Sequence, residues 1–185
     1  MGKCRVWTKQ HKSVWEQLER YGRYTVKREY VALALEEHTD LVLEAYDWLV
    51  RNSPDASSRP ADAEYPVWVS YRRDAAMLPD RDSVMLELTI DEKRITPIHV
   101  SKWGTILNFS YIPADSGDAK RHSKLLAEYG VSDAKAYLSR FYPEIKEEIV
   151  DSWKRLFDDS VHLGSELRYG TIWEVRREWV SRVTR

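Results

Sequence analysis

Cys4 and the five histidines at positions 11, 38, 99, 122 and 162 are the side chains from which a nucleophile or a metal centre would be built in this 185-residue sequence. A thiolate beside an imidazole is a nucleophilic pair, and imidazoles at ligand spacing make a zinc site. Neither pattern is legible here. The histidines keep no ligand spacing and read as surface or core-edge residues, so no metal is expected. Cys4 has no second cysteine, which excludes an internal disulfide and a thiolate cluster and points to a reducing, cytoplasmic compartment. The seven glycines stand singly, so there is no glycine-rich phosphate loop, and neither G-x-S-x-G nor H-E-x-x-H occurs.

Tryptophan is the more informative residue: eight, at 7, 15, 48, 68, 103, 153, 173 and 179, each in or beside an apolar pattern. Such rings bury large areas while keeping one polar atom for a hydrogen bond, so they predict an aromatic-rich core. Charge is nearly balanced overall but unevenly placed. Residues 1–30 carry eight basic side chains against three acidic ones, and residues 31–70 carry eight carboxylates against Arg51 and Arg59. A basic segment with aromatics can track a nucleic-acid backbone. The simpler reading has the two segments facing each other or water, and nucleic acid is not the favoured partner. The longest uncharged stretch, Trp103 to Ala114, is far short of the ~20 apolar residues of a membrane span, so no membrane partner is expected.

The elements that must position these residues follow from periodicity. Val6-Trp7-Thr8 reads as a strand, then Val14, Trp15, Leu18 and Tyr21 as a helical stripe that Gly22 terminates. Leu41, Ala45, Trp48 and Leu49 form a second helical stripe. Residues 52–64 hold prolines and no period, and read as a surface loop, as do residues 113–119. Tyr65 to Tyr71 and Ser83 to Ile90 alternate as strands, and Ile95, Ile98 and Val100 suggest a third whose Pro97 argues for an edge. Pro143 opens an amphipathic helix through Ile145, Ile149, Trp153, Leu156 and Phe157. Ile172, Val175, Trp179 and Val183 have helical spacing, which places Glu174 in a final helix. The expected fold is α+β, a small, mostly antiparallel central sheet flanked by helices in a single domain over residues 1–185.

Several of these segments resemble a known family. Val6-Trp7-Thr8-Lys9-Gln10, Ala45-Tyr46-Asp47-Trp48-Leu49, Tyr65-Pro66-Val67-Trp68, Leu86-Glu87-Leu88, Trp103 with Leu107-Asn108, and Thr171-Ile172-Trp173-Glu174-Val175-Arg176-Arg177-Glu178-Trp179-Val180 are similar, in order, to short bacterial proteins grouped as domain of unknown function 3841. The likeness is weakest over 114–142. It implies a bacterial cytoplasmic protein and no particular activity.

A second likeness is to small ADP-ribosyltransferases. It rests on a strand ending near a polar residue, a helix closing with Leu18-Glu19-Arg20-Tyr21-Gly22, a strand with Ser70-Tyr71-Arg72-Arg73, and a late glutamate. That resemblance implies NAD as cofactor, with Thr8, Gln10 and Arg72 orienting it, Tyr71 stacking on nicotinamide and Glu174 catalytic. A carboxylate beside a developing oxocarbenium ion stabilises the transition state more than the ground state. The alternative is a non-catalytic protein- or nucleic-acid-interaction module whose tryptophans and tyrosines sit among arginines.

Overall fold

The alternating apolar positions of two long strands set the frame. In the computed structural model, which describes residues 2–35 and 39–185 (side chains of 2–32 and 40–185), β1 (Lys3–His11) lies antiparallel to β4 (Ser83–Asp91). Val6 is opposite Leu88 and Thr8 opposite Leu86, and all four are buried. The period-2 set of β4 therefore meets that of β1 on one face, where each fully buried aliphatic contributes roughly 1.5–3 kcal/mol.

The contacts of the chain fall into two compact units. The first comprises residues up to Pro97 together with Arg168–Arg185. After β1 it runs through α1 (Lys12–Tyr21), β2 (Arg23–Tyr24), α2 (Arg28–Leu35), α3 (Thr39–Asn52) and β3 (Val67–Ser70) to β4 and the first two residues of β5 (Thr96–His99). It is completed by β6 (Arg168–Ile172), β7 (Val175–Arg176) and β8 (Val180–Thr184). The six-stranded sheet has the order β5-β6-β3-β1-β4-β8, and β2 and β7 form a separate two-stranded ribbon. Val14 and Leu18 of α1 and Leu43 of α3 join the strand residues in one apolar core. The ring of His11 accepts from the Ser13 amide to cap the start of α1, and Gly22, at φ 74°, ends it with its amide on the Leu18 carbonyl. Pro97 sits in the edge strand β5, where a missing donor is tolerated.

The second unit, Ile98–Leu167, is helical: α4 (Val100–Leu107), α5 (Ser116–Tyr129), α6 (Asp133–Leu138), α7 (Pro143–Ser152) and a 3₁₀ turn, Trp153–Phe157. Phe109, Tyr137 and Trp153 stack in sequence, with centroids 4.6 and 5.4 Å apart. The indole of Trp153 donates to the Ser110 carbonyl at 2.9 Å. Lys102, 1 % exposed, donates to the carbonyls of Arg155 and Asp158 at 3.0 and 2.7 Å, closing the end of the 3₁₀ turn.

The architecture is α+β, as the periodicity predicts, and two expectations need correction. The stripe Ile172, Val175, Trp179 and Val183 is not a helix. Ile172 pairs with Val67, Val175 with Tyr24 and Val183 with Leu86, and a 3₁₀ turn, Arg177–Trp179, separates the strands. Pairing with three different strands overrides a local 3.6-residue spacing. Residues 113–119 are a loop only as far as Asp115, whose side chain caps α5 by accepting from the Asp118 amide. Within 52–64 the segment turns through a short 3₁₀ element, Ala56–Ser58, and then buries Ala63 completely. Among the described residues no helix is long and apolar enough to cross a membrane.

Candidate functional site

In the first unit, β6 stops at Ile172 and β7 begins at Val175, so Trp173 and Glu174 form the turn between them. Register places Arg23 of β2 directly opposite Arg176 of β7. Two cations across a ribbon repel unless an anion lies between them. Glu174 supplies it: Arg23 Nε donates to Oε2, and Arg176 Nε donates to Oε1 at 2.7 Å. The remaining nitrogens of Arg23 hold Asp62 in a two-pronged pair at 2.8 and 2.9 Å. Burial pushes the Glu174 carboxyl up, but the bonds from Arg23 and Arg176 outweigh it and hold the group below the usual glutamate range.

Glu174 also walls a cavity of about 300 Å³ shared with Asp55, Ser58, Pro60, Asp91, Lys93, Arg94, Ile172, Trp173 and Trp179. Its aromatic walls are fixed. Trp173 Nε1 donates to the Asp55 carbonyl at 3.2 Å. Trp179 lies under two guanidiniums, that of Arg94 at 5.5 Å and that of Arg176 at 5.7 Å from its ring centre. Lys93 and Arg94 form no side-chain hydrogen bond or ion pair among the described residues.

The other residues implied by the transferase likeness lie elsewhere. Thr8 is buried and donates to the Trp68 carbonyl at 2.8 Å, and Gln10 donates to Thr8 Oγ1 at 2.8 Å. Arg72 is exposed and forked onto Asp74. Tyr71 is 37 % exposed, and burial of its remainder pushes its phenol up. None of these four walls the cavity that Glu174 reaches. Arg23 holds Glu174, and Arg94, Trp173 and Trp179 line the cavity; the sequence marked the two tryptophans only as core and none of the four as a site residue. Arg23 and Glu174 are 151 residues apart, so only the β2–β7 pairing reveals them.

A second polar centre lies in the helical unit. His122, buried on α5, meets Asp133 Oδ1 through Nε2 at 2.7 Å and Glu148 Oε1 through Nδ1 at 2.9 Å. Tyr111 stacks on the imidazole, 3.9 Å between centres and 10° from parallel. Arg121 donates to Glu148 at 2.7 Å and to Asp118 at 2.9 Å, and Asp118 also accepts from the Tyr111 hydroxyl at 2.8 Å. Burial raises the Asp118 carboxyl, but the Ala114 amide, Tyr111, Arg121 and Arg155 bring it down to about 2. This hub ties α5, α6 and α7 together. Its spacing, with partners 11 and 26 residues away, carries no sequence signature.

The His11 ring caps α1, and His162 is exposed beside Glu166 at 3.2 Å. His99 is buried, 3.8 Å from Glu166. His38 lies outside the described residues. Burial and the charge of Glu92 push the Cys4 thiol up, the opposite of an activated nucleophile. Among the described residues, no group of three or more His, Cys, Asp or Glu is placed to hold a metal ion.

The family model for a domain of unknown function, DUF3841, matches residues 5–181. No curated protein and no solved structure matches the chain. The match spans nearly the whole sequence, so the chain belongs to the DUF3841 family.

Proposed function

With family membership as the premise and no activity attached to it, we propose that this protein is a non-catalytic binding module whose ligand enters the tryptophan- and arginine-walled cavity of the first unit. One observation carries this reading. Both oxygens of Glu174 are engaged by guanidiniums, so its charge is already neutralised. A carboxylate so held is a poor base, and it offers little field to an oxocarbenium ion. The walls around it are pre-ordered instead: Trp173 is hydrogen-bonded and Trp179 is stacked. Little ordering entropy is left to lose when a ligand binds.

The NAD-dependent transferase is the second reading, and one observation favours it. Glu174 sits in the turn between two strands, immediately before β7, where the resemblance to ADP-ribosyltransferases wants its glutamate. Against it, Thr8, Gln10, Tyr71 and Arg72 do not share the cavity. A thermal-shift panel of NAD, nucleotides, short RNA and peptides, run beside an assay for nicotinamide release, decides between them. The binding-module reading expects a ligand-dependent rise in melting temperature with no turnover. Steady nicotinamide release that is lost in Glu174→Gln would overturn it.

A further inference from the structure

We infer that the cavity beside Trp179 recognises a nucleoside monophosphate, with Arg94 and Lys93 on the phosphate and the apolar wall of Trp173, Ile172 and Pro60 against the base. This rests on the binding-module reading and names its ligand.

Several cations of the first unit are already neutralised. In the first unit Arg23 is held by Asp62 and Glu174, Arg28 by Asp47, and Lys9 by Asp80. Lys93 and Arg94 differ. They follow one another, both wall the cavity, and neither meets an acid among the described residues. Arg94 is nonetheless positioned, because its guanidinium lies over the Trp179 ring. A stacked guanidinium has already lost much of its rotamer freedom while its five N–H donors stay uncommitted, which suits two parallel bonds to phosphate oxygens.

The carboxylates in the same walls limit the charge that fits. Glu174 is neutralised by its two arginines, and Asp91 accepts from the Lys93 amide in its own turn. Asp55 and Asp91 still oppose a dense anion, which favours one phosphate over a triphosphate. Size points the same way. A cavity of about 300 Å³ stands at the lower end of small-molecule sites, room for one base, one sugar and one phosphate and too little for a dinucleotide.

The test is calorimetry on the full chain with the four nucleoside monophosphates, their parent nucleosides, inorganic phosphate, ATP and NAD. A 5′-phosphorylated oligoribonucleotide and its unphosphorylated twin separate a free nucleotide from a strand end. Expected results are binding of at least one monophosphate, with its nucleoside at least ten-fold weaker and higher salt weakening the complex. Arg94→Ala should lose at least ten-fold in affinity, and Arg94→Lys should recover part of it. Arg94 is exposed, and an unchanged melting temperature without ligand shows that the variant folds. Nucleosides binding as well as nucleotides, or Arg94→Ala binding normally, overturns the phosphate assignment and leaves the binding module standing. No binding in this series, together with no shift by RNA or peptides in the thermal-shift panel, overturns both.

Discussion

At the scale of single residues, charge is placed to hold backbone and strands in position. Glu174 is the anion that lets Arg23 and Arg176 face each other, and Glu174→Gln should cost about 2 kcal/mol, in the range of a hydrogen bond to a charged group. Urea denaturation measures it, and an unchanged midpoint would mean the two arginines separate freely. Lys102 is the corresponding cation of the helical unit. Lys102→Met keeps the stem but leaves the carbonyls of Arg155 and Asp158 without its ammonium, so a loss of about 1–3 kcal/mol is expected in the same experiment. Neither role can be read from spacing. The partners of Lys102 are backbone carbonyls 53 and 56 residues away, and nothing in its own neighbourhood distinguishes it from a solvated lysine.

At the scale of elements, Gly170 lets β6 lie close against its neighbours. A Cβ there would stand 2.3 Å from Ile95 Cγ2 and 3.0 Å from Val69 Cγ2, both on stiff branched side chains. Gly170→Ala should therefore destabilise by about 1–3 kcal/mol through overpacking, read from a thermal or urea transition. The strands that carry their own alternation were legible in advance: Val84, Leu86, Leu88 and Ile90 are all buried, opposite Gln10, Thr8, Val6 and Cys4 in turn, as their period requires. The amphipathic helix from Pro143 was legible too, although its last turn tightens to 3₁₀ at Trp153. The C-terminal strands were not, because their apolar residues reach three separate partners and the phase resets at each break. The candidate site inherited that error. The likeness to transferases marked Glu174 as catalytic, within an expected helix; it lies instead in a turn between two strands and lines a cavity whose other walls come from strand pairing, which no local window contains.

At the scale of the whole molecule, depressed carboxylates occur in both units: Asp62, Asp80 and Glu174 in the first, Asp118 and Glu148 in the second. A carboxyl held lower in the folded state than in the unfolded chain stabilises at pH above its unfolded value and loses that contribution as protons arrive. For Asp118 the ordinary value is 3.8 and the folded one about 2, so its contribution is complete above pH 3.8 and fades as pH falls through 2. Asp80 has the same folded value but is exposed and adds little. Stability should thus decline on acidification, and Asp118→Asn should lower it at neutral pH while flattening the acid limb, as followed by circular dichroism at stepped pH. A variant with an unchanged acid limb would show that the Asp118 bonds persist after protonation. Sheet order has a consequence for synthesis on the ribosome. β1 finds β4 once residue 91 has emerged, and the helical unit is one continuous stretch that needs nothing made later for its own contacts. β3 waits for β6, and β4 for β8, until residues 168–185 appear. Through that interval the nascent sheet carries the open edges of β3 and β4, which invite pairing with other chains, so residues 168–185 are the ones that cover them.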